Sequence, residues 1–341
     1  MIYLDSAAST KRLLEPKADF WANASSRSHT LGNLVKHQVE SSREVLASLI
    51  GVEPSNLAFT SGATESIFIV AREYPFTEVS NTAHKAMFFG HRLSNTGSSV
   101  NGLEKNYAFE LINNETGLQF DSLPQKWNGI YTSDISQALT KITRIAEPCA
   151  SAYLVGSMHK FHGPKGLGFV AANDEELFDR LKNPIFKGSQ EFGVRPGTLN
   201  SEAIIEAGEV AKWMMKYGEE YRAKLKHLQS TFENKIKSLT DCWIIGADQE
   251  RAPHITSLNL PGVDNEALIA AVNDRLAIAS GSACTSEKVE PSHVLMAMFN
   301  DREIADTTVR ISYGWFNTEA EVLEAAEIIA KAAETIRSFS L

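Results

Sequence analysis

Leu57-Ala58-Phe59 runs directly into Thr60-Ser61-Gly62-Ala63-Thr64-Glu65, an apolar piece, then a turn of small residues, then a helix-like stretch. That order reads as a strand, a turn and a helix start, the unit from which α/β sheets are built. Such a turn offers free backbone N–H groups and hydroxyls at a helix N-terminus, a suitable cup for a phosphate. A plain strand-to-helix turn is the other reading of the same residues.

Working outward, residues 34–50 carry Val35, Val39, Leu46, Leu49 and Ile50 at helical spacing, with Gly51 as a stop. Residues 128–134, 152–156 and 167–171 each read as a short buried strand. From about Asn200 to Leu239 the pattern predicts one long helix or a broken pair, followed by short strands (254–260) and a helix near 266–273. Thr318 and Glu321 form a capping box for a last helix striped by Val322, Ala326, Ile329, Ala333 and Ile336. The expected fold is therefore α/β. A large, mainly parallel sheet domain spans residues 11–205, and a smaller α+β domain spans 206–341, joined by the N-terminal segment 1–10. Ligands of such sheets sit beyond the carboxyl ends of the strands.

The 341 residues carry a net charge of −9, which argues against direct nucleic-acid binding. No apolar run reaches the roughly 18 residues of a membrane span, and the start lacks the regions of a secretory signal, so a cytoplasmic protein is expected. Cys149, Cys242 and Cys284 are too far apart for a CxxC metal or redox pair, and no metal site is expected. Cys149 and Cys242 read as small buried hydrophobes.

The polar residues at the strand ends suggest chemistry. Lys160 follows the strand 152–156, and Gly163-Pro164-Lys165-Gly166 makes a rigid turn behind it. A lysine so held can form an imine with an aldehyde cofactor such as pyridoxal 5′-phosphate (PLP). Asp134 ends another strand and suits the ring nitrogen of that cofactor, with Gln137 a donor for its phenolic oxygen; a helix N-cap is the plainer reading of Asp134. His84 has the chemistry to stack on an aromatic ring or shuttle protons, and equally to be structural. Cys284 lies in Ala279-Ser280-Gly281-Ser282-Ala283-Cys284-Thr285-Ser286, an accessible small-residue loop rather than a core site. Arg310 can bind a carboxylate in a bidentate way, or make a surface ion pair.

Together, Phe59–Glu65, His159-Lys160, Arg195-Pro196-Gly197-Thr198-Leu199 and Ser280–Ser286, in this order, resemble the cysteine desulfurases of the class V aminotransferase family. The resemblance runs from Tyr3 to Phe316 and implies the fold of PLP-dependent transferases of type I. It also implies roles. Lys160 is the Schiff-base lysine, Asp134 and Gln137 hold ring nitrogen and phenolic oxygen, and His84 stacks on the ring. Ala63, Thr64, Ser157 and His159 hold the phosphate, with Thr198 supplied by the other subunit of a homodimer. Asn114 lies near the substrate, Arg310 binds the carboxylate of L-cysteine, and Cys284 becomes the persulfide on the kind of mobile loop one subgroup carries. The sulfur then passes to an acceptor protein serving iron–sulfur clusters, tRNA thiolation or sulfur modification of DNA.

The chain also departs from that pattern. The stretch from His84 to Asp134 is shorter by roughly one helix and one strand. Ala83 stands where the family usually has an acidic residue, Phe192 and Trp315 stand where arginines are common, and the tail that some relatives use to dock a scaffold protein is not expected after the last helix. A selenocysteine lyase or other PLP lyase, and an inactive scaffold of the same fold, remain alternative readings.

Overall fold

The computed structural model describes residues 1–14, 22–26, 28–94, 105–120, 129–142, 152–182, 188–281 and 290–339. In chain order its elements begin with β1 (Ile2–Tyr3), α1 (Thr30–Ile50), β2 (Leu57–Thr60), α2 (Ala63–Glu73), β3 (Glu78–Val79) and α3 (Lys85–Ser94). They continue with β4 (Asn106–Glu110), β5 (Ile130–Asp134), β6 (Ala152–Ser157), β7 (Gly168–Ala172), α4 (Glu175–Arg180) and α5 (Ser201–Leu239). The remainder are β8 (Trp243–Ile244), β9 (Ile255–Asn259), α6 (Asn265–Val272), β10 (Leu276–Ala277), β11 (Ala279–Ser280), α7 (His293–Phe299), α8 (Arg302–Asp306), β12 (Thr308–Ser312) and α9 (Glu319–Phe339).

The chain divides into two compact units. One comprises Arg12–Leu111 and Ser122–Gly218, the other Met1–Lys11, Ile112–Asp121 and Glu219–Leu341. The sequence predicts one division at 205/206. The observed one falls inside α5, a continuous helix, at Gly218. Ile112–Asp121 joins the second unit because Leu118 bridges Arg251 and the Ala252 amide donates to Gly117 O at 2.8 Å.

The first unit is built on a six-stranded sheet in the order β2-β7-β6-β5-β4-β3. Strands β3 to β6 are mutually parallel, while β7 runs antiparallel between β6 and β2. Strands β5 and β7 are buried at every position, which explains why they read as continuous runs rather than alternations. Helix α2 packs on β6 and β7, and Ile67, Val70, Met87, Tyr153, Val155, Val170 and Phe178 share one core there. Each such side chain contributes about 1.5–3 kcal/mol when fully removed from water. Helix α1 starts at Thr30 because His29 Nδ1 accepts the Gly32 amide at 3.1 Å, and it ends at Gly51 in the left-handed region (φ 79°). At the β2 end of the sheet, Arg43 and Glu191 form a buried two-point pair at 2.8 Å, and Glu191 also accepts the Phe59 amide. Every charge of that pair has a partner, as burial requires.

The second unit holds the parallel pair β1-β10 and an antiparallel sheet in the order β11-β12-β9-β8. Helix α6 packs on α9. The capping box is present: Thr318 N–H donates to Glu321 Oε2 at 2.9 Å, and the Glu321 amide donates to Thr318 Oγ1 at 3.2 Å.

Candidate active site

Three strand ends meet along one edge of the large sheet. Gly168, which opens β7, is the register partner of both Thr60 at the end of β2 and Ser157 at the end of β6. It has to be glycine: a Cβ there would lie 2.5 Å from Gly62 backbone carbons and 2.6 Å from Gly156 O. This closeness seats the start of α2 against the end of β6, so that a Cβ built on Gly62 would stand 3.8 Å from Ser157 Oγ. Helix α2 has no side-chain cap, and the Ala63 and Thr64 amides have no hydrogen-bond partner among the described residues. Unsatisfied amides at a helix N-terminus beside a hydroxyl suit a phosphate group.

One strand further along, Val155 of β6 is the register partner of Asp134 at the end of β5. Asp134 is buried. Its Oδ1 accepts the Ser136 amide at 2.8 Å, and its other oxygen has no hydrogen-bond partner among the described residues. The residue thus caps the following turn and still offers an acceptor, reconciling the two readings of it. Gln137, on that turn, is also buried. His84 Nδ1 accepts the Ala86 amide at 3.2 Å, which opens α3 and leaves the ring proton on Nε2.

After β6 the chain makes one 3₁₀ turn, Met158–Lys160, leaving Lys160 half-buried. Lys141 reaches it from the turn after β5, donating from Nζ to Lys160 O at 2.6 Å. Burial, reinforced by Lys160, Lys165 and Lys141, pushes His159 down to about 4, so it is neutral near pH 7. The lysines around it give the edge a positive field that favours an anionic ligand. Uncapped amides with Ser157, a buried carboxylate with a spare oxygen, and a half-buried lysine are the donor set that PLP needs. The broad cleft of the same unit, about 490 Å³, is bordered by Lys36, Glu40, Arg43, Glu191 and Phe192 and holds none of these groups.

Thr198, also in the first unit, is exposed and has no hydrogen bond among the described residues. Asn114 and Arg310 belong to the second unit. Arg310 donates from Nη1 to Asn114 O and from Nη2 to Asp5 Oδ1, both at 2.8 Å, while its buried Nε has no partner among the described residues. Asn113 Oδ1 accepts the Glu115 and Thr116 amides and fixes the turn that carries Asn114. Cys284 and the rest of 282–289 lie outside the described residues, as does Cys149. Sequence reasoning missed Lys141 and Asp5. The available signal for Lys141 was a single lysine inside the otherwise uncharged run Ala138-Leu139-Thr140-Lys141-Ile142.

The protein family described as aminotransferase class-V matches residues 2–87 and 104–324, and the gap falls inside the shortened stretch. The cysteine desulfurase IscS of Neisseria meningitidis serogroup C is 31% identical over 380 residues, covering 99% of this chain and 94% of that protein. IscS of Klebsiella pneumoniae is 30% identical over 382 residues with the same coverage. Among solved structures, a NifS-like protein superposes with a TM-score of 0.80 at 24% identity, with 99% of each chain covered. The apo cysteine desulfurase of Thermococcus onnurineus gives 0.78 at 17% identity, covering 98% of this chain and 95% of that one. The chain therefore belongs to the class V aminotransferase family, whose members are PLP-dependent enzymes, and the cysteine desulfurases are among its relatives.

Proposed function

We propose that this protein is a PLP-dependent cysteine desulfurase, converting L-cysteine to L-alanine and carrying the sulfur as a persulfide on Cys284. The observation that supports it most is the sheet edge itself: Lys160, the spare oxygen of Asp134, and the uncapped amides of α2 beside Ser157 lie on adjacent strand ends. Relatedness to IscS along almost the whole chain narrows the substrate to L-cysteine.

Ala63, Thr64, Ser157 and His159 would hold the phosphate, Asp134 and Gln137 the ring nitrogen and phenolic oxygen, and His84 the ring face. When bound, PLP supplies an electron sink that acidifies the substrate Cα–H. The Lys160 amine takes the Cα proton and later returns a proton to carbon. Arg310, its guanidinium oriented by Asn114 O and Asp5, would bind the substrate carboxylate. The Cys284 thiolate attacks the substrate sulfur. The Cβ–S bond breaks with its electron pair left on carbon, which gains a proton to become alanine, and an S–S bond forms on Cys284.

The protein acts as a cytoplasmic homodimer and delivers sulfur to an acceptor protein rather than directly to nucleic acid. Among the described residues no helix is long and apolar enough to cross a membrane. The test is alanine and sulfide release from L-cysteine with a thiol reductant, wild type beside Cys284→Ala. Wild type is expected to make both and the variant neither. PLP binding without alanine would overturn the assignment.

A further inference from the structure

We infer that Lys141 is a positioning residue for Lys160, fixing the backbone from which the reactive amine projects and favouring that amine's uncharged, proton-accepting form. This rests on the desulfurase reading for its role in turnover, but not for its geometry. Lys141 is 1% exposed, and its one hydrogen bond among the described residues is to Lys160 O at 2.6 Å. Among the described residues it forms no ion pair and meets no carboxylate. A structural filler at such a place would be apolar, since an uncompensated buried charge is costly.

Its location gives the charge a use. Lys141 is on the turn that follows Asp134 and carries Gln137, so one side chain ties the end of β5 to the turn after β6. The preceding Thr140 has φ 68°, a left-handed conformation that a β-branched residue rarely adopts, and it redirects the chain just before Lys141. Among the described residues, Lys141 and His159 feel the charge of Lys160, and His159 also feels that of Lys165 from the β6–β7 turn. Two like charges close together oppose each other's protonation. Burial first, and Lys160 second, push Lys141 down to about 7. A cation beside Lys160 opposes a second positive charge there, and the Lys160 amine must be neutral to accept a proton.

The test compares Lys141→Met, Lys141→Gln and Lys141→Arg in the holoenzyme by following the visible absorbance of bound PLP against pH. Loss of the cation is expected to raise the apparent pKa of that transition by about one unit, and Lys141→Arg is expected to stay near wild type. Lys141→Gln keeps a donor for Lys160 O without the charge, so it is expected to hold PLP and still show the shift. At neutral pH kcat for alanine is expected to fall about tenfold in Lys141→Met, with KM for L-cysteine little changed. A titration of Lys141→Met or Lys141→Gln that superimposes on wild type overturns the inference. The titration reads Lys141 whatever the substrate, so a wild type that binds PLP and makes no alanine sinks only the desulfurase reading.

Discussion

Lys141 has a thermodynamic signature separable from any catalysis. In an unfolded chain its amine titrates near 10.4, whereas in the fold burial and Lys160 bring it to about 7. Between those values the unfolded chain binds more protons, so the free energy of unfolding rises with pH across that window. The penalty is fully present below about pH 7 and relieved toward pH 10. Lys141→Met removes it, at the loss of one hydrogen bond to Lys160 O. The variant is therefore expected to be more stable than wild type by about 1–3 kcal/mol near pH 6, with the gain vanishing near pH 10. Urea unfolding at the two pH values, with PLP in excess, checks it. Destabilisation near pH 6 would mean that the ammonium is compensated. His159 titrates in the same sense lower down: its folded value of about 4 lies below the unfolded 6.5, so stability is lost as pH falls through that interval. A residue that costs stability and sits against Lys160, the lysine proposed to react, is the pattern expected where function and stability compete.

At the scale of elements, the antiparallel strand β7 gathers the candidate site. Its first residue faces Thr60 on one side and Ser157 on the other, and only glycine fits between them. Gly168→Ala should push α2 from the end of β6 and open the amide cup. Affinity for PLP is expected to drop by at least about tenfold, a loss on the scale of one charge-assisted hydrogen bond. The melting temperature with PLP in excess should fall by a few degrees. Gly166→Ala, where no atom lies within 4 Å of an added Cβ although φ is 75°, is the comparison for a backbone effect alone. Equal PLP affinity in wild type and Gly168→Ala would disprove the cup. The strand–turn–helix at 57–65, the strand ends at Asp134 and Ser157, and the box capping α9 were legible because local chemistry dictates them. The antiparallel insertion of β7 was not, since a buried strand reads alike in either direction. Nor was the two-residue β3, too short for periodicity, or the transfer of Ile112–Asp121 to the second unit, which depends on distant partners such as Arg251. Lys141 and Asp5 escaped for the same reason. What matters about each is a contact made far along the chain.

The largest-scale question is whether one chain completes a cofactor site or two are needed, and Thr198 decides it. The segment holding it lies near the chain's own α2, because Arg195 Nε donates to Glu65 Oε1 at 3.2 Å, and Glu65 Oε2 accepts the Ser61 amide at 2.5 Å. Yet the Thr198 hydroxyl is exposed, with no partner among the described residues. It is therefore free to serve the phosphate of a second copy. Mixed dimers separate the two arrangements. Lys160→Ala should abolish turnover and Thr198→Ala should weaken PLP binding by about tenfold, the loss of a hydrogen bond to a charged group. In a dimer of one Lys160→Ala chain and one Thr198→Ala chain, the site with an intact Lys160 draws its threonine from the other subunit. If Thr198 acts across the interface, that site is whole, and the purified mixed dimer should recover roughly half the wild-type activity at limiting PLP. If Thr198 serves its own chain, the surviving lysine is paired with the missing hydroxyl, and no recovery follows. Size-exclusion chromatography with light scattering must first show the dimer. A monomer that turns over L-cysteine at the full rate would remove the partner's hydroxyl from the site altogether.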